Sequence, residues 1–354
     1  MSKNTKKIIQ YLLTTIIVVV SLWLVFKDLD FSMFIEIMRT TDYKWALYAV
    51  PITLLSHLVR AYRWKVILAP IKKVTSILNL FSAVMVGYFV NTFLPRGGEI
   101  VRPIAYSRRE KLSLSTVFGT IIFERVLDLI FLVLLFWIAF VFFSDRIVNS
   151  IDGLSTSSVV WFMSILLAVF FTMVVAVFTN LGNFLLKIFL KPLSITLYEK
   201  ADALLKKFLN GMAIIRAPEL YIKTIFQSVL IWFIYMLPMY LMFNSFEFLQ
   251  PLNLDMGDAF LLLIVAGIGV TLAPSPGGIG VYHWIVQQFF VAFYGLTEEQ
   301  GLAFATLAHA QNILTQVVFG LIFFLRENVQ KLPSEKEMSK AIEHDDVNLS
   351  KQAD

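Results

Sequence analysis

The fold of this chain is decided by the apolar stretch at residues 113–143, which reads SLSTVFGTIIFERVLDLIFLVLLFWIAFVFF. About 20 apolar residues in a helix are enough to cross the ~30 Å hydrocarbon core of a bilayer, so this stretch exceeds one upright span. The whole chain has 354 residues, of which 58% are hydrophobic and only 16% are charged. A soluble domain is about half apolar and about a quarter charged. This composition indicates a polytopic membrane protein, and it excludes a soluble enzyme, a nucleic-acid-binding module and a disordered chain.

The sequence lacks the residues and motifs of several kinds of chemistry. There is no cysteine, which excludes thiolate nucleophiles, disulfide bonds and cysteine-ligated metals. The metal-binding pattern H-E-x-x-H, the nucleophile pattern G-x-S-x-G and the phosphate-binding Walker loop are also absent. The net charge of +5 comes from basic residues between the apolar runs and not from one patch. We therefore predict no catalytic residue, no metal, no cofactor and no nucleic-acid partner.

The loops between the apolar runs predict how the chain is threaded through the membrane. Lys and Arg dominate the loops at 60–73 and 181–218, whereas acidic residues outnumber basic ones at 27–44, 244–258 and 295–300. Because basic loops stay on the cytoplasmic side, both termini are predicted to be cytoplasmic, with the chain in the cytoplasmic (inner) membrane. The runs predicted to cross fully are 8–26, 45–59, 113–143, 159–180, 219–243 and 301–325.

Two further apolar regions are predicted to enter and leave the membrane on the same side. Region 77–107 is followed by the basic pair Arg108 and Arg109, and region 259–294 lies between two acidic loops. The part 77–94 is long enough to cross alone, and this alternative stays open. The prediction is an all-α polytopic membrane fold with about six full transmembrane helices and two oppositely oriented re-entrant hairpins.

A single transmembrane domain is predicted from these elements, over residues 1–328. Within it, segment 183–216 has Lys on one side and Leu, Phe and Ile on the other, which is typical of an amphipathic helix pair on the cytoplasmic surface. The tail at 329–354 is rich in Lys, Glu and Asp, and we predict that it is a disordered cytoplasmic end.

The tips of the two predicted hairpins share a sequence pattern. Each has Thr-x-x-Pro, then one or two residues, then Gly-Gly, two residues and Val. The positions are Thr92, Pro95, Gly97 and Gly98 in the first tip, and Thr271, Pro274, Pro276, Gly277 and Gly278 in the second. Pro breaks a helix, and Gly-Gly lets a ligand approach the backbone. Two broken helices that enter from opposite faces are typical of an inverted-repeat transporter with a midplane site, although Pro and Gly also simply mark loops.

Charged residues inside or beside the apolar runs are the candidate binding residues. A charge in hydrocarbon costs a few kcal/mol or more, so such groups face a cavity or one another. Glu124 and Asp128 share one helical face and require a cation, from Arg96, Arg102, a substrate amine or a proton, and a structural ion-pair network is the alternative. The predicted substrate-binding residues are Asn91, Arg96, Glu99, Arg102, Glu124, Arg125, Asp128, Arg60 and Arg63.

Two polar stripes have a simpler interpretation beside the functional one. Arg60 and Arg63, at the end of the second span, are most simply interfacial anchors, with a contact to a lipid phosphate as the alternative. His309, Asn312 and Gln316 share one face of the last apolar run. We predict that these three form hydrogen bonds between helices rather than bind a ligand.

Four motifs in this order resemble those of a known family. They are RAYRW at 60–64, NTFLPRGGE at 91–99 with Arg102, ER at 124–125 with Asp128, and PSPGGIG at 274–280. Together they resemble the lysylphosphatidylglycerol synthase transmembrane-region family, flippase-like integral membrane proteins, over residues 8–328. The resemblance implies lipid handling. Multidomain relatives are linked to the movement of an aminoacylated phospholipid, and others to polyprenyl-linked sugars.

The resemblance to the multidomain relatives covers their membrane region alone. The longest hydrophilic segment of this chain, 181–218, is far shorter than the ~100 residues of a further domain, so we expect no soluble aminoacyltransferase here. We therefore expect translocation of a phospholipid or lipid-linked intermediate rather than an enzymatic activity. The expected partner is a membrane lipid with an anionic, zwitterionic or polyprenyl-linked head group. The lipid, the direction, the energy source and a homo-oligomeric state stay open.

Two alternatives from other functional classes also stay open. One is an intramembrane enzyme that modifies a lipid head group, with Glu99, Glu124 or Asp128 as the acid or base. The other is a scaffold subunit that transports nothing, in which the polar residues serve helix association alone.

Overall fold

The computed structural model describes residues 16, 18–27, 29–72, 75–148, 156–178, 217–272 and 275–327, with the pairs 187–188, 191–192, 194–195 and 198–199. All regular secondary structure in these ranges is helical. Most of the predicted amphipathic segment 183–216, the tail 329–354 and residues 8–15 of the first predicted span lie outside the described residues. The predicted all-α class is thus confirmed on the part of the chain that is described.

Helices follow one another along the chain with short connections. They are α1 (Phe31–Thr40), α2 (Lys44–Leu68), α3 (Ile77–Phe93), α4 (Gly98–Glu110), α5 (Leu114–Val148), α6 (Thr156–Phe178), α7 (Tyr221–Met242), α8 (Met256–Leu272), α9 (Val281–Tyr294) and α10 (Glu298–Glu327). Short 3-10 turns lie at Pro218–Leu220, Phe243–Ser245, Glu247–Leu252 and Pro276–Gly278. Residues 18–26 are also helical.

Three helical stretches are long and apolar enough to cross a membrane among the residues that the structure describes: Leu114–Ser144, Pro218–Ser245 and Glu298–Glu327. They coincide with three of the predicted spans, and the polytopic membrane class is confirmed. The predicted span 45–59 lies in α2, whose second half carries Arg60, Arg63 and Lys65 and is therefore less apolar. The number of six crossings stays a prediction.

The apolar stretch 113–143 forms almost all of α5. The backbone leaves helical geometry at Phe143, where φ is −115° and ψ is 16°. At about 1.5 Å per residue, a helix of this length exceeds the ~30 Å hydrocarbon thickness, so it must tilt, kink or protrude. Phe143 is the last residue of the apolar run, so the kink lies at the end of the run.

The described residues fall into two compact units, whose boundaries lie inside α2, α4 and α7. The described residues of the first unit are those up to Arg63, those of Ser76–Ala105 and those from Phe226 to Glu327. The second contains Trp64–Thr75 and Tyr106–Ile225. In the second unit, α5 packs on α6, and the Trp137 indole N–H donates a hydrogen bond to Ser164 Oγ at 3.1 Å.

Helix α10 is the central element of the first unit, because it packs against α1, α3 and α9. Polar contacts fix both of its ends. At the C-terminal end, Arg326 Nη2 donates a hydrogen bond to Asn79 Oδ1 at 2.9 Å. At the N-terminal end, the Glu299 carboxylate accepts a hydrogen bond from the backbone N–H of Asp30 at 3.0 Å.

Both predicted hairpin regions consist of a helix, a break and a second helix. The first arms, α3 and α8, each have 17 residues, and Thr92 and Thr271 occupy the same position near their ends. Each threonine hydroxyl donates a hydrogen bond back into its own helix, to Phe89 O at 2.7 Å and to Gly267 O at 2.6 Å. The two regions are therefore built alike up to the break. Their opposite orientation in the membrane stays a prediction.

Candidate functional site

The two helix breaks meet in the first unit. The Arg96 side chain reaches the second break, where Nη2 donates a hydrogen bond to the Thr271 carbonyl oxygen at 3.4 Å. Helix α3 also packs on the turn Pro276–Gly278. A Cβ atom built on Gly277 would lie only 3.3 Å from the Thr92 carbonyl oxygen. The structure thus joins two segments that are about 180 residues apart in sequence.

The second break is an open turn that requires glycine. Gly277 and Gly278 have φ angles of 59° and 81°, in the left-handed region. A side chain in this conformation costs roughly 1–2 kcal/mol, because Cβ crowds the carbonyl oxygen. The Ser275 hydroxyl stabilises the turn by donating a hydrogen bond to Ile279 O at 2.9 Å. Pro274 lies outside the described residues.

The first break is closed by packing. The Asn91 side-chain oxygen accepts a hydrogen bond from the backbone N–H of Gly98 at 2.7 Å, so it satisfies the N-terminus of α4. A Cβ atom at Gly98 would overlap the carbonyl group of Gly87 in α3. The absence of a side chain at Gly98 therefore allows α3 and α4 to pack closely against each other. This differs from the expectation that both Gly-Gly pairs open the backbone to a ligand.

A cavity of about 450 Å³ lies in the first unit beside the second break. One part of its wall is apolar and comes from α7, α8 and α10: Ile234, Pro238, Met239, Met242, Leu263, Val270 and Ala308. The other part is polar or glycine backbone: Thr53, Ser56, His57, Arg60, Tyr88, Tyr235, Thr271, Gly277, Gly278, Tyr282, His309, Gln311, Asn312 and Gln316. The cavity is thus amphipathic.

Arg60 is held at the cavity wall by residues from two other helices. Its Nη1 atom donates hydrogen bonds to the hydroxyl groups of Tyr88 in α3 and Tyr235 in α7, the latter at 2.9 Å. The guanidinium also lies over the Tyr88 ring, 5.8 Å from the centroid. The His57 ring also stacks on the Tyr88 ring, with the two centroids 4.1 Å apart. Arg60 is only 6% exposed, so most of its side chain is enclosed by the protein.

The polar stripe of α10, His309, Asn312 and Gln316, also lies on the cavity wall. His309 contacts the Gly277 carbonyl oxygen through Nε2 at 2.7 Å, and its ring stacks on Tyr282 with centroids 5.0 Å apart. Gln316 donates a hydrogen bond to Asn312 Oδ1 at 3.0 Å. Within the part of the chain that the structure describes, His309 makes the contact between elements that the sequence predicts for the stripe, and the Gln316–Asn312 hydrogen bond lies within α10. All three residues line the cavity.

The other predicted binding residues of the first unit lie outside the cavity lining. Arg63 is fully buried and donates a hydrogen bond to Ser228 Oγ at 2.9 Å. Arg102 is 6% exposed and lies where α4 approaches Gly87. Glu99 lies in the first turn of α4. Within this unit, the structure brings Arg60 and the second break into the cavity and leaves these three residues in the helix packing around it.

The predicted charges of α5 form a cluster in the second unit. Glu124 is fully buried, and its carboxylate accepts a hydrogen bond from Arg125 Nη2 at 2.8 Å. The same nitrogen lies 3.3 Å from Asp128 Oδ2. Arg125, which lies between the two acids in sequence, therefore supplies a cation to both, as in the structural ion-pair alternative, whereas the sequence pattern pointed to Arg96 or Arg102.

Comparison with known proteins identifies the family. The sequence matches the family described as lysylphosphatidylglycerol synthase TM region over residues 11–320. The chain belongs to this family. Similar proteins include UPF0104 membrane proteins of Pyrococcus horikoshii, 26% identical over 73% of this chain and 80% of the relative, and of Methanocaldococcus jannaschii, 23% identical over 73% and 78%. A third, from Methanothermobacter thermautotrophicus, is 25% identical over 72% and 77%. No solved structure matches the chain at a significant level.

The family match confirms the resemblance that the four motifs carry, and with the apolar helices it establishes a multi-pass membrane protein. Sequence reasoning placed the second break and Arg60 at the site but missed most of the lining. Tyr88, Tyr235 and Tyr282 carry no sequence signal, because tyrosine is common in membrane proteins. For His309, Asn312 and Gln316 the signal was present, as a polar stripe in an apolar helix.

Proposed function

We propose that this protein translocates a phospholipid or a lipid-linked intermediate across the membrane, with the head group passing through the cavity beside the second helix break. One observation carries the proposal: the two Pro/Gly-Gly breaks contact each other, and the second of them lines an amphipathic cavity. The family to which the chain belongs supports a role in lipid metabolism, since its description names a phospholipid.

The physics of the bilayer supports this use of the cavity. Broken helices at membrane depth are stable only where protein buries the backbone or where they line a polar cavity. Polar side chains in such a place are costly and commonly mark a substrate path. The Gly277 carbonyl and the polar face of α10 provide contacts for a head group, and the methionines of α7 provide an apolar wall for the chains next to it.

The two breaks also form the part of the structure that is best suited to move. Transporters built from broken helices open one side of the site by moving one such element against the other. Among the described residues, the breaks contact each other through a long hydrogen bond from Arg96, the close approach of Gly277 to Thr92 and the packing of α3 on the turn Pro276–Gly278. We expect these contacts to separate in one step of the cycle.

Transport is tested with the purified full-length chain in liposomes that contain a fluorescent phospholipid in both leaflets. An impermeant reductant removes the fluorescence of the labelled phospholipid in the outer leaflet. Labelled lipid that then moves from the inner to the outer leaflet is reduced as well, so its movement appears as a further loss of fluorescence. Vesicles with protein are expected to lose the inner-leaflet signal and empty vesicles to retain it. Retention of the signal for every phospholipid and prenyl-phosphate lipid tested would reject the proposal, and turnover of a head group would indicate the enzyme alternative.

Gly278→Val and Gly295→Val provide a matched pair for the same assay. Both glycines have left-handed φ angles, 81° and 63°, so a valine strains the backbone at either position. Gly278 lines the cavity, whereas Gly295 ends α9 with open space around it. Gly278→Val is expected to stop transport, and Gly295→Val is expected to preserve it at a similar loss of stability.

A further inference from the structure

The residue types that line the cavity indicate which head group it accepts, an inference that rests on the proposed function because it concerns the same site. We infer that the cavity takes a phosphate-linked head group that is rich in hydroxyl groups and carries no ammonium group. Phosphoglycerol and phosphosugar head groups share this chemistry. Lysylated and ethanolamine head groups do not, since each carries a positive charge.

The first support is the set of hydrogen-bonding groups on the wall. Gln311, Asn312 and Gln316 of α10 line the cavity together with the Thr53 and Ser56 hydroxyl groups of α2. Part of their capacity is used inside the protein, because Gln311 Nε2 donates to Thr53 Oγ1 and Thr315 Oγ1 at 3.1 and 3.2 Å, and Gln316 Nε2 donates to Asn312 Oδ1 at 3.0 Å. The amide and hydroxyl oxygens can still accept, and the Asn312 amide can also donate. A ligand hydroxyl group donates and accepts, so it can pair with both kinds of group, whereas an ammonium group only donates and cannot accept from the Asn312 amide.

The second support is a buried nitrogen at the same wall. The Nε2 atom of His57 has no hydrogen-bond partner within the described part of the chain, although the residue is only 2% exposed. A buried polar atom without a partner is destabilising. His57 lines the cavity, where its ring stacks on Tyr88. A ligand hydroxyl that reaches this nitrogen would satisfy it in either tautomer.

The third support is the formal charge of the lining. Of the lining residues that the structure describes, none is Asp or Glu, and Arg60 contributes a permanent positive charge. An ammonium group removed from water needs a carboxylate nearby, which this wall does not provide. A phosphate group is compatible with the guanidinium of Arg60 and with the tyrosine hydroxyls beside it. The wall therefore disfavours a head group that ends in an amine.

The test is competition for binding by the full-length protein in detergent, with a fluorescent short-chain phosphatidylglycerol as the tracer. The competitors are dihexanoyl phosphatidylglycerol, dihexanoyl phosphatidylethanolamine and a short prenyl-phosphate hexose. The two polyol competitors are expected to displace the tracer at concentrations about tenfold or more below that of the ethanolamine lipid. Whichever of them is stronger identifies the source of the head group. Equal or stronger displacement by the ethanolamine lipid overturns the inference.

Gln316→Glu makes the test specific to this wall. It places a carboxylate in the cavity at nearly unchanged volume, so the preference for polyol over ethanolamine is expected to fall about tenfold or to reverse. Gln300→Glu is the matched control on the same helix, because Gln300 does not belong to the cavity lining. Its side-chain oxygen accepts a hydrogen bond from Thr297 N, which a carboxylate can also accept. An unchanged preference in Gln316→Glu overturns the inference. Binding is measured without transport, so a protein that binds polyol lipids and moves none of them would reject the proposed function alone.

Discussion

The side chain of His309 holds the second helix break, with its Nε2 atom 2.7 Å from the carbonyl oxygen of Gly277. A carbonyl oxygen can only accept, so Nε2 carries the hydrogen. This contact links the long helix α10 to a turn with left-handed backbone angles. Helix α10 also packs on α3, the helix that precedes the first break. One helix therefore contacts the second break and the helix that leads into the first break.

Replacement of His309 tests this link. His309→Ala removes the hydrogen bond and the stacking on Tyr282, and we expect it to lower the free energy of unfolding by about 1–3 kcal/mol and to slow transport. His309→Gln keeps an N–H donor and should recover part of both. Thermal unfolding in detergent and the liposome assay measure the two effects. If Gln and Ala variants behave alike, the donor is not what holds the turn.

Arg60 is predicted to act through both its charge and its planar geometry. Arg60→Ala should weaken lipid binding about tenfold or more, since a hydrogen bond to a charged group contributes about 1.5–3 kcal/mol. Arg60→Lys keeps the charge but loses the fork that reaches Tyr88 and Tyr235, so only part of the affinity should return. The tracer competition assay gives both values.

The control for Arg60 is Arg39→Ala, which removes an exposed arginine at the end of α1. Its binding should equal that of the parent chain. Full binding by Arg60→Ala would mean that Arg60 serves only as an interfacial anchor, the simpler interpretation of its position in the sequence.

The helices and their breaks were predictable from the sequence because both depend on local properties. The length of an apolar run determines whether a helix spans, as in 113–143, and Pro with Gly-Gly ends a helix wherever it occurs. The same locality explains why Glu124, Arg125 and Asp128 were recognised as one cluster, since they lie on consecutive turns of one helix.

The cavity could not be predicted in the same way, because its wall combines six helices and the turn at Pro276–Gly278. Tyr88 and Tyr235 are 147 residues apart in sequence, yet the fold brings both to Arg60 and places their hydroxyl oxygens 3.3 Å from each other. The two Gly-Gly pairs look equivalent in sequence, yet Gly98 packs on a helix and Gly278 lines the cavity. Which of these roles a glycine has depends on what the fold places opposite it.

This difference predicts unequal outcomes at the two breaks. Gly98→Val places a branched side chain against the Gly87 carbonyl group, so α3 and α4 cannot keep their approach. We expect poor folding, seen as low yield and a reduced unfolding temperature. Gly278→Val should fold and fail in transport. A well-folded Gly98→Val protein with normal stability would contradict the packing role.

We predict that water reaches the second break more readily than the first. Labelling of introduced cysteines can measure this, because the chain has no cysteine of its own. Thr271 is exposed and lines the cavity, whereas Thr92 is 8% exposed and faces Gly277. An impermeant maleimide should therefore modify Thr271→Cys quickly and Thr92→Cys slowly, and added phosphatidylglycerol should protect the first. Thr297→Cys, in the exposed turn before α10, is the control that lipid should not protect.

The side from which each cysteine reacts then tests the opposed hairpins. If the two regions enter from opposite faces, Thr271→Cys reacts from outside and Thr92→Cys from the cytoplasmic side, because each break is reached along its own arm. Labelling of both from one face would show that the hairpins are not opposed. Thr271→Cys that resists the reagent from both faces would show that water does not reach the cavity, and a head group could not then pass through it.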